Sequence, residues 1–184
     1  TPSVPGDTWV VHVTGSEPND FDVDWSQSLA DLSGRPVAVL FQIPNQPLWD
    51  KKEDDLIAHT FEQYLETGDE TWPLLFPMVK SATRTMDAIQ AYDKEAKRFV
   101  VFGASKRGWT SWLTAATGDK RVAGIAPMLY DNLQMPAQHA KQLKDWGEFS
   151  PMIADYTSRH LEDTVEVGVI PTDVSTRSGR VTVT

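Results

Sequence analysis

Ser105 is the residue whose surroundings best equip it for chemistry, in the segment Gly103-Ala-Ser-Lys-Arg-Gly108. An apolar run at residues 99–102 precedes it, and a segment typical of a helix follows from Trp109. This pattern predicts a buried strand, a tight turn and a helix. Such a turn raises a serine hydroxyl above the end of a sheet, where it can act as a nucleophile. It also aims the first N–H groups of the helix at an oxyanion formed there.

The turn departs from the common pattern Gly-x-Ser-x-Gly. Arg107 occupies the position of the second glycine, which comes one residue later at Gly108. We expect the turn to close all the same, because Gly103 and Ala104 are small, with Arg107 pointing out of the contact between helix and strand. The alternative is that Ser105 only caps the helix and has no chemical role.

A serine nucleophile needs a base and a carboxylate that orients the base. In the chain order serine, acid, histidine, the histidines that follow Ser105 are His139 and His160, and the best-placed acid is Asp131, just after a predicted strand. Ser105–Asp131–His139 and Ser105–Asp131–His160 are both open as catalytic triads. The polar surroundings of both histidines equally fit exposed surface residues.

Backbone N–H groups supply the predicted oxyanion site. One donor is the N–H of Lys106, and the second comes from Gly15 or Ser16, in the loop after the first strand. Arg107 and Trp109 are candidates for substrate binding. The alternatives are that Lys106 and Arg107 form a solvated pair at the helix start and that Trp109 packs the helix on its sheet.

Strands alternate with helices up to about residue 130, which predicts an α/β fold with a mostly parallel sheet flanked by helices. The predicted strands are 9–14, 37–43, 99–102 and 122–126, and the predicted helices are 24–32, 54–65, 75–89 and 105–117. Residues 1–130 form the predicted core. Residues 131–163 are polar and weakly helical, as in a cap or insertion, and residues 164–184 fit a terminal hairpin or a tail.

A chain of this length leaves the sheet with an open edge at the strand 122–126. Such an edge can pair with residues 164–184 or with another chain. A homo-oligomer formed through this edge is therefore one expectation.

Composition excludes several classes of function. The 184 residues carry a formal net charge of −9 without a basic stripe, which argues against nucleic acid as a partner. No apolar run is long enough to span a membrane.

Cysteine is absent, which excludes disulfides and a cysteine nucleophile. No metal-ligand or phosphate-loop spacing occurs, so no metal and no cofactor are expected. The start at Thr1 suggests a processed or partial chain, a removed signal peptide being one explanation.

Three stretches carry a family resemblance: residues 35–48, 64–79 and 99–110. Together with Ile125-Ala-Pro-Met128 and Met135-Pro-Ala-Gln138, they resemble the PhoPQ-activated pathogenicity-related protein family over roughly residues 34–158. The resemblance implies an α/β-hydrolase-like fold in secreted or periplasmic proteins, without a defined substrate. It also implies truncation, because family members continue past this chain into strands that would carry the usual acid and histidine.

Two hypotheses follow for the function. The first is a serine hydrolase that acts on a small-molecule ester, or less readily an amide, through Ser105. The second is a non-catalytic secreted signalling or binding protein, with a protein partner, that retains the same fold.

Overall fold

A computed structural model describes residues 6–130 and 134–161, and the backbone of residues 174–177 and 180–183. The chain divides into two units. The first comprises Thr1–Gln46 and Leu75–Tyr130, and the second comprises Pro47–Leu74 and Asp131–Thr184. The predicted boundary at residue 130 coincides with a boundary between the units, whereas residues 47–74 group with the later part of the chain.

The elements follow the predicted alternation of strands and helices. In chain order they are β1 Thr8–Val13, α1 Asp20–Ser33, β2 Val37–Leu40, α2 Glu53–Thr67, α3 Leu75–Tyr92, β3 Arg98–Ala104, α4 Lys106–Ala116, β4 Val122–Met128, α5 Met135–Trp146, α6 Ala154–Thr157, β5 Val174–Arg177 and β6 Arg180–Val183. A short 3₁₀ helix, Pro151–Ile153, precedes α6. Among the described residues, no helix is long and apolar enough to cross a membrane.

The first unit is built on a four-stranded sheet in the order β2-β1-β3-β4. All three pairings are parallel, and helices flank the sheet, which confirms the predicted α/β class. Within the described residues β4 pairs only with β3, so the predicted open edge is confirmed. β5 and β6 pair antiparallel in a separate two-stranded sheet.

The carboxyl ends of β1 and β3 lie side by side. Val13 and Gly103 are register partners there. The chain leaves β1 towards β2 on one side and leaves β3 towards β4 on the other, so the strand order reverses between these two strands. In open parallel sheets the crevice at such a reversal is where ligands bind.

Local sequence explains where the elements of the first unit begin and end. The predicted amphipathic helix is confirmed as α3, whose apolar positions are buried: Leu75, Met78, Val79, Ala82, Met86 and Ile89. α1 starts four residues earlier than predicted because the Asn19 side chain caps it, accepting a hydrogen bond from the N–H of Asp22 at 2.9 Å. β2 is shorter than predicted, since residues 41–43 form a loop in which the Ile43 N–H donates to the Thr14 carbonyl at 2.9 Å.

In the second unit, polar side chains join α2 to the segment around α6. The Tyr156 hydroxyl donates to Asp54 at 2.8 Å. The Arg159 guanidinium is bonded to Asp55 and lies 3.6 Å from Glu62. These contacts fix α2 against residues far along the chain, so the position of α2 depends on residues from the segment predicted as a cap.

His12, near the carboxyl end of β1, is a buried structural residue. It is 7% exposed, its ring stacks on Phe102 at 4.5 Å, and its Nδ1 lies 2.8 Å from the Ser26 hydroxyl of α1. Burial lowers the pKa of His12 below its usual value, and the Asp22 carboxylate opposes this only in part. The folded chain therefore holds His12 neutral.

This lowered pKa predicts a loss of stability in acid. The unfolded chain takes up a proton at the ordinary histidine pKa, about 6.5, before the folded chain does. The free energy of unfolding is thus full above that pH and falls as pH drops below it, by at most about 1.4 kcal/mol per pH unit. His12→Asn, which can still bond Ser26 but cannot be protonated, removes this contribution. Urea denaturation from pH 7.5 to 5 measures it.

The matched control is Ser28→Ala, at an exposed position of α1, which changes no titratable group and leaves the slope of stability against pH as in the parent chain. Parallel slopes for the parent chain and His12→Asn would contradict a neutral buried His12.

Candidate functional site

Ser105 connects β3 to α4 in a strained backbone conformation. Its φ is 54° and its ψ is −121°, and its side chain makes no capping hydrogen bond with the helix. Asn19, the cap of α1, shows the ordinary arrangement, with an extended backbone at φ −150° and a side chain bonded to the helix. Ser105 is therefore not an ordinary helix cap. A positive φ at a residue other than glycine costs energy and is concentrated at functional sites.

Two glycines make this turn possible. A Cβ on Gly103 would lie 2.8 Å from the Val13 carbonyl oxygen and 2.6 Å from the Cβ of Arg107. A Cβ on Gly108 would lie 2.7 Å from the Met128 carbonyl oxygen. That oxygen also accepts the N–H of Ser105 at 2.9 Å. Gly108, although one residue later than the common pattern places it, thus lets the first turn of α4 approach the end of β4.

Backbone donors converge on the same edge of the sheet. The first N–H groups of a helix have no partner inside it, and in α4 these begin at Lys106, directly after Ser105. Gly15 and Ser16 come shortly after Val13, the last residue of β1. Ser105 and Lys106 come at the same spacing after Gly103, which is the register partner of Val13 in β3. The predicted nucleophile and both predicted sources of oxyanion donors therefore follow neighbouring strand ends, where the Ser16 N–H donates to the Thr14 hydroxyl oxygen at 3.5 Å.

Arg107 is buried, at 6% exposure, and does not form the solvated pair that was one expectation. Its Nε donates to the Ile43 carbonyl oxygen at 2.5 Å. Its guanidinium covers Gly15, where a Cβ would lie 1.7 Å from Nη2. The expectation that Arg107 points out of the packed turn is wrong, because its side chain links the loops that follow β1 and β2. A substrate-binding role for Arg107 stays a prediction.

A polar network holds the loop after β1. The Asp22 carboxylate accepts hydrogen bonds from the Ser16 hydroxyl, from the Thr14 hydroxyl at 3.1 Å and from the Asn19 amide at 2.8 Å. Burial raises the pKa of Asp22, but these hydrogen bonds and the nearby His12 outweigh it, so the pKa lies below its usual value. The sequence analysis missed Asp22, and its spacing from Asn19, typical of a helix start, is the signal that could have found it.

Trp109 is packed into the first unit. It is 5% exposed, and its ring stacks on that of Tyr130 at 5.1 Å with an angle of 15° between the planes. Burial raises the pKa of Tyr130 well above its usual value. This geometry favours the packing alternative for Trp109. Its role in substrate binding stays a prediction.

The two candidate bases belong to the second unit. His139 lies on α5, half-buried and in edge contact with Phe149 at 5.6 Å, and His160 is exposed just after α6 with a φ of 55°. Asp131 falls outside the described residues. Both predicted triads stay predictions. Within the described ranges, no group of three or more histidine, cysteine, aspartate or glutamate side chains could hold a metal ion.

Fold and site together define an α/β protein with a strained serine at the end of a parallel strand. The profile of the PhoPQ-activated pathogenicity-related protein family matches residues 6–171. The chain belongs to this family.

A curated relative is similar over most of the chain. It is the autocrine proliferation repressor protein A of Dictyostelium discoideum, with 36% identity over 172 residues, covering 85% of this chain and 35% of the relative. The chain thus spans about a third of that relative's length. No solved structure matches the chain.

The close approach at Gly103 predicts that Gly103→Ala destabilises the chain. The added methyl group must displace backbone, so we expect a loss of about 1–3 kcal/mol in the free energy of unfolding. Gly124→Ala is the matched control, because a Cβ on Gly124 in β4 would meet only Val100 Cγ2, at 3.9 Å. We expect it to change stability by less than about 0.5 kcal/mol. Equal effects of the two substitutions in urea denaturation would contradict the close packing of the turn.

The positive φ of Ser105 predicts that Ser105→Gly stabilises the chain. At an ordinary helix cap this substitution costs a few tenths of a kcal/mol. Here glycine relieves a sparsely populated conformation that costs about 1–3 kcal/mol, less about 0.5–1 kcal/mol for its greater freedom when unfolded. We expect a net gain of up to about 2.5 kcal/mol in thermal or urea unfolding. A net loss would mean that the turn holds no strain.

Proposed function

We propose that this chain carries the nucleophile of an α/β-hydrolase-like serine hydrolase that acts on small-molecule esters and less readily on amides. The observation that carries the proposal is the φ of 54° at Ser105, between a buried strand and a helix start. Strain at a strand-to-helix turn is typical of a serine nucleophile exposed at the top of a parallel sheet. The carboxyl ends of β1 and β3 lie side by side where the strand order reverses, and open parallel sheets bind their ligands at such a reversal.

The proposed reaction assigns a role to each backbone group. Ser105 Oγ forms a bond to the ester carbonyl carbon while a base removes its proton. The carbonyl electrons move to the oxygen, which accepts hydrogen bonds from the Lys106 N–H and from the loop at Gly15 and Ser16. The bond to the alcohol then breaks, the protonated base gives its proton to the departing alkoxide, and water hydrolyses the acyl-serine. Removing one such oxyanion donor typically costs about 100- to 1,000-fold in rate.

The base in this proposal is His139 or His160, with Asp131 as its orienting carboxylate. An ester is the preferred substrate because an alkoxide leaves more readily than an amine. Arg107 contributes by holding Gly15, since its guanidinium fixes the loop whose N–H groups must face the oxyanion.

The second candidate is a non-catalytic signalling or binding protein. The name of the Dictyostelium relative, autocrine proliferation repressor, favours it. A secreted or periplasmic location and a protein partner belong to the same proposal. Pairing of the open β4 edge with a second copy of the chain is a further proposal, supported by the strand order.

A fluorophosphonate probe separates the two candidates. We expect covalent labelling of the parent chain at Ser105, mapped by mass spectrometry, and at least a roughly 100-fold loss of labelling in Ser105→Ala. The matched control is Ser28→Ala, on the exposed face of α1, which keeps parental labelling. A folded parent chain that never reacts, as judged by circular dichroism, would favour the binding protein.

A further inference from the structure

An aromatic cluster in the second unit suggests a ligand site independent of Ser105. It consists of Trp49, His59 and Trp72. The Trp49 ring lies 5.5 Å from that of Trp72 and 5.7 Å from that of His59, and the rings of His59 and Trp72 are 6.4 Å apart. The planes meet at 47°, 65° and 78°. The three rings contact one another at steep angles, and ring surface of the half-exposed Trp49 stays open to solvent at the side of the cluster.

Trp49 is held outward at an energetic cost. It is 57% exposed, and it occupies a four-residue turn closed by paired backbone hydrogen bonds between Leu48 and Lys51, of 3.1 and 2.9 Å. Both central residues, Trp49 and Asp50, have positive φ, of 50° and 58°. Turns of this kind normally carry Asn-Gly or Asp-Gly. A tryptophan in this position is both strained and solvated, and neither property helps the chain to fold.

The other two rings are anchored. The Asp69 carboxylate accepts from the Thr71 N–H at 2.9 Å, and the Asp69 carbonyl accepts the Trp72 N–H at 3.2 Å, which fixes the turn that carries Trp72. His59 lies on α2 with its Nδ1 3.7 Å from a carboxylate oxygen of Glu62. The aromatic cluster is therefore preorganised and does not depend on collapse of one exposed side chain.

The charge around the aromatic cluster indicates the sign of its ligand. Residues 47–74 contain eight acidic residues against two lysines, a formal net charge of −6. Asp55 and Glu62 already face Arg159. Asp50, next to Trp49, and Glu70, two residues before Trp72, are exposed. Their field attracts cations to the aromatic cluster and repels anions.

We propose that the aromatic cluster binds a trimethylammonium group, either on a free small molecule such as choline or on a methylated lysine side chain. Aromatic faces attract cations through their quadrupole, tryptophan most strongly, and angled aromatic walls are the arrangement that receives quaternary ammonium groups. The alkyl shell of such an ion needs no hydrogen bonds, which suits an exposed aromatic surface. The exposed carboxylates of Asp50 and Glu70, close in sequence to the two tryptophans, supply the complementary charge.

Choline and its neutral isostere 3,3-dimethyl-1-butanol test the proposal on the intact chain. Proton NMR follows the methyl signals of each probe. We expect an upfield shift of the choline methyl protons from the ring current of the facing indoles, and binding roughly tenfold weaker for the neutral isostere. A peptide with trimethyl-lysine, titrated in parallel, identifies which source of the group binds more tightly. Binding of choline or of the trimethyl-lysine peptide supports the site, whereas equal affinity for choline and its isostere overturns the cationic assignment.

Variants tie the signal to the aromatic cluster. Trp49→Ala is expected to abolish the methyl shift, whereas Trp146→Ala, at an 80% exposed tryptophan of the same unit, preserves it. The double variant Trp49→Asn with Asp50→Gly installs the sequence that the turn prefers, so it removes the ring while keeping the fold. Asp50→Asn with Glu70→Gln weakens choline binding several-fold.

Three further outcomes would overturn the proposal: no methyl shift from either choline or the trimethyl-lysine peptide with the folded parent chain, a shift that survives loss of the Trp49 ring, or a preference for a neutral sugar such as cellobiose. None of these measurements uses Ser105, so they stand apart from the fluorophosphonate test.

Discussion

The first unit depends on one constraint: the backbone must reverse at Ser105 with a positive φ. No side-chain cap compensates for it, so the packing on either side must. Gly103 lets β3 pass beneath the Val13 carbonyl, and Gly108 lets α4 reach the Met128 carbonyl. Because both glycines are in backbone contact, the turn cannot relax by moving one side chain. A strained residue persists in this way when its surroundings overdetermine its conformation.

Arg107 extends that constraint to the rest of the crevice. Its side chain starts within the strained turn, crosses to the Ile43 carbonyl and covers Gly15. The loops after β1, β2 and β3 thus share one buried guanidinium. The loop after β1 is also held by Asp22, whose carboxylate accepts hydrogen bonds from the hydroxyls of Thr14 and Ser16. Rigid support on both sides would serve the proposed oxyanion site, whose donors must be in place before charge develops.

Much of this architecture could be predicted from residue patterns, because apolar periodicity reports local burial. The six apolar positions of α3 and the valine-rich strands predicted the helix, the strands and their parallel class. Ser105 was found because glycine, a buried strand and a helix start are all local signals. Arg107 was misjudged because its partners, Ile43 and Gly15, are distant in sequence, and an arginine in a first helical turn is typical of a surface. The positive φ values of Trp49 and Asp50 could not be predicted from the sequence, since neither residue favours the conformation that the turn imposes.

The contact between Gly15 and Arg107 couples two positions that lie far apart in the chain, so that the residue at one limits what the other can accept. Any side chain at position 15 meets the guanidinium, so a larger residue fits there only if the arginine side chain swings away and gives up its hydrogen bond to the Ile43 carbonyl. A shorter residue at position 107 would free the space beside position 15, and it would also remove the hydrogen bond to the Ile43 carbonyl. In other members of the family, the two positions are expected to change as a pair, and a lone replacement at position 15 would mark a lineage in which this crevice has been rebuilt.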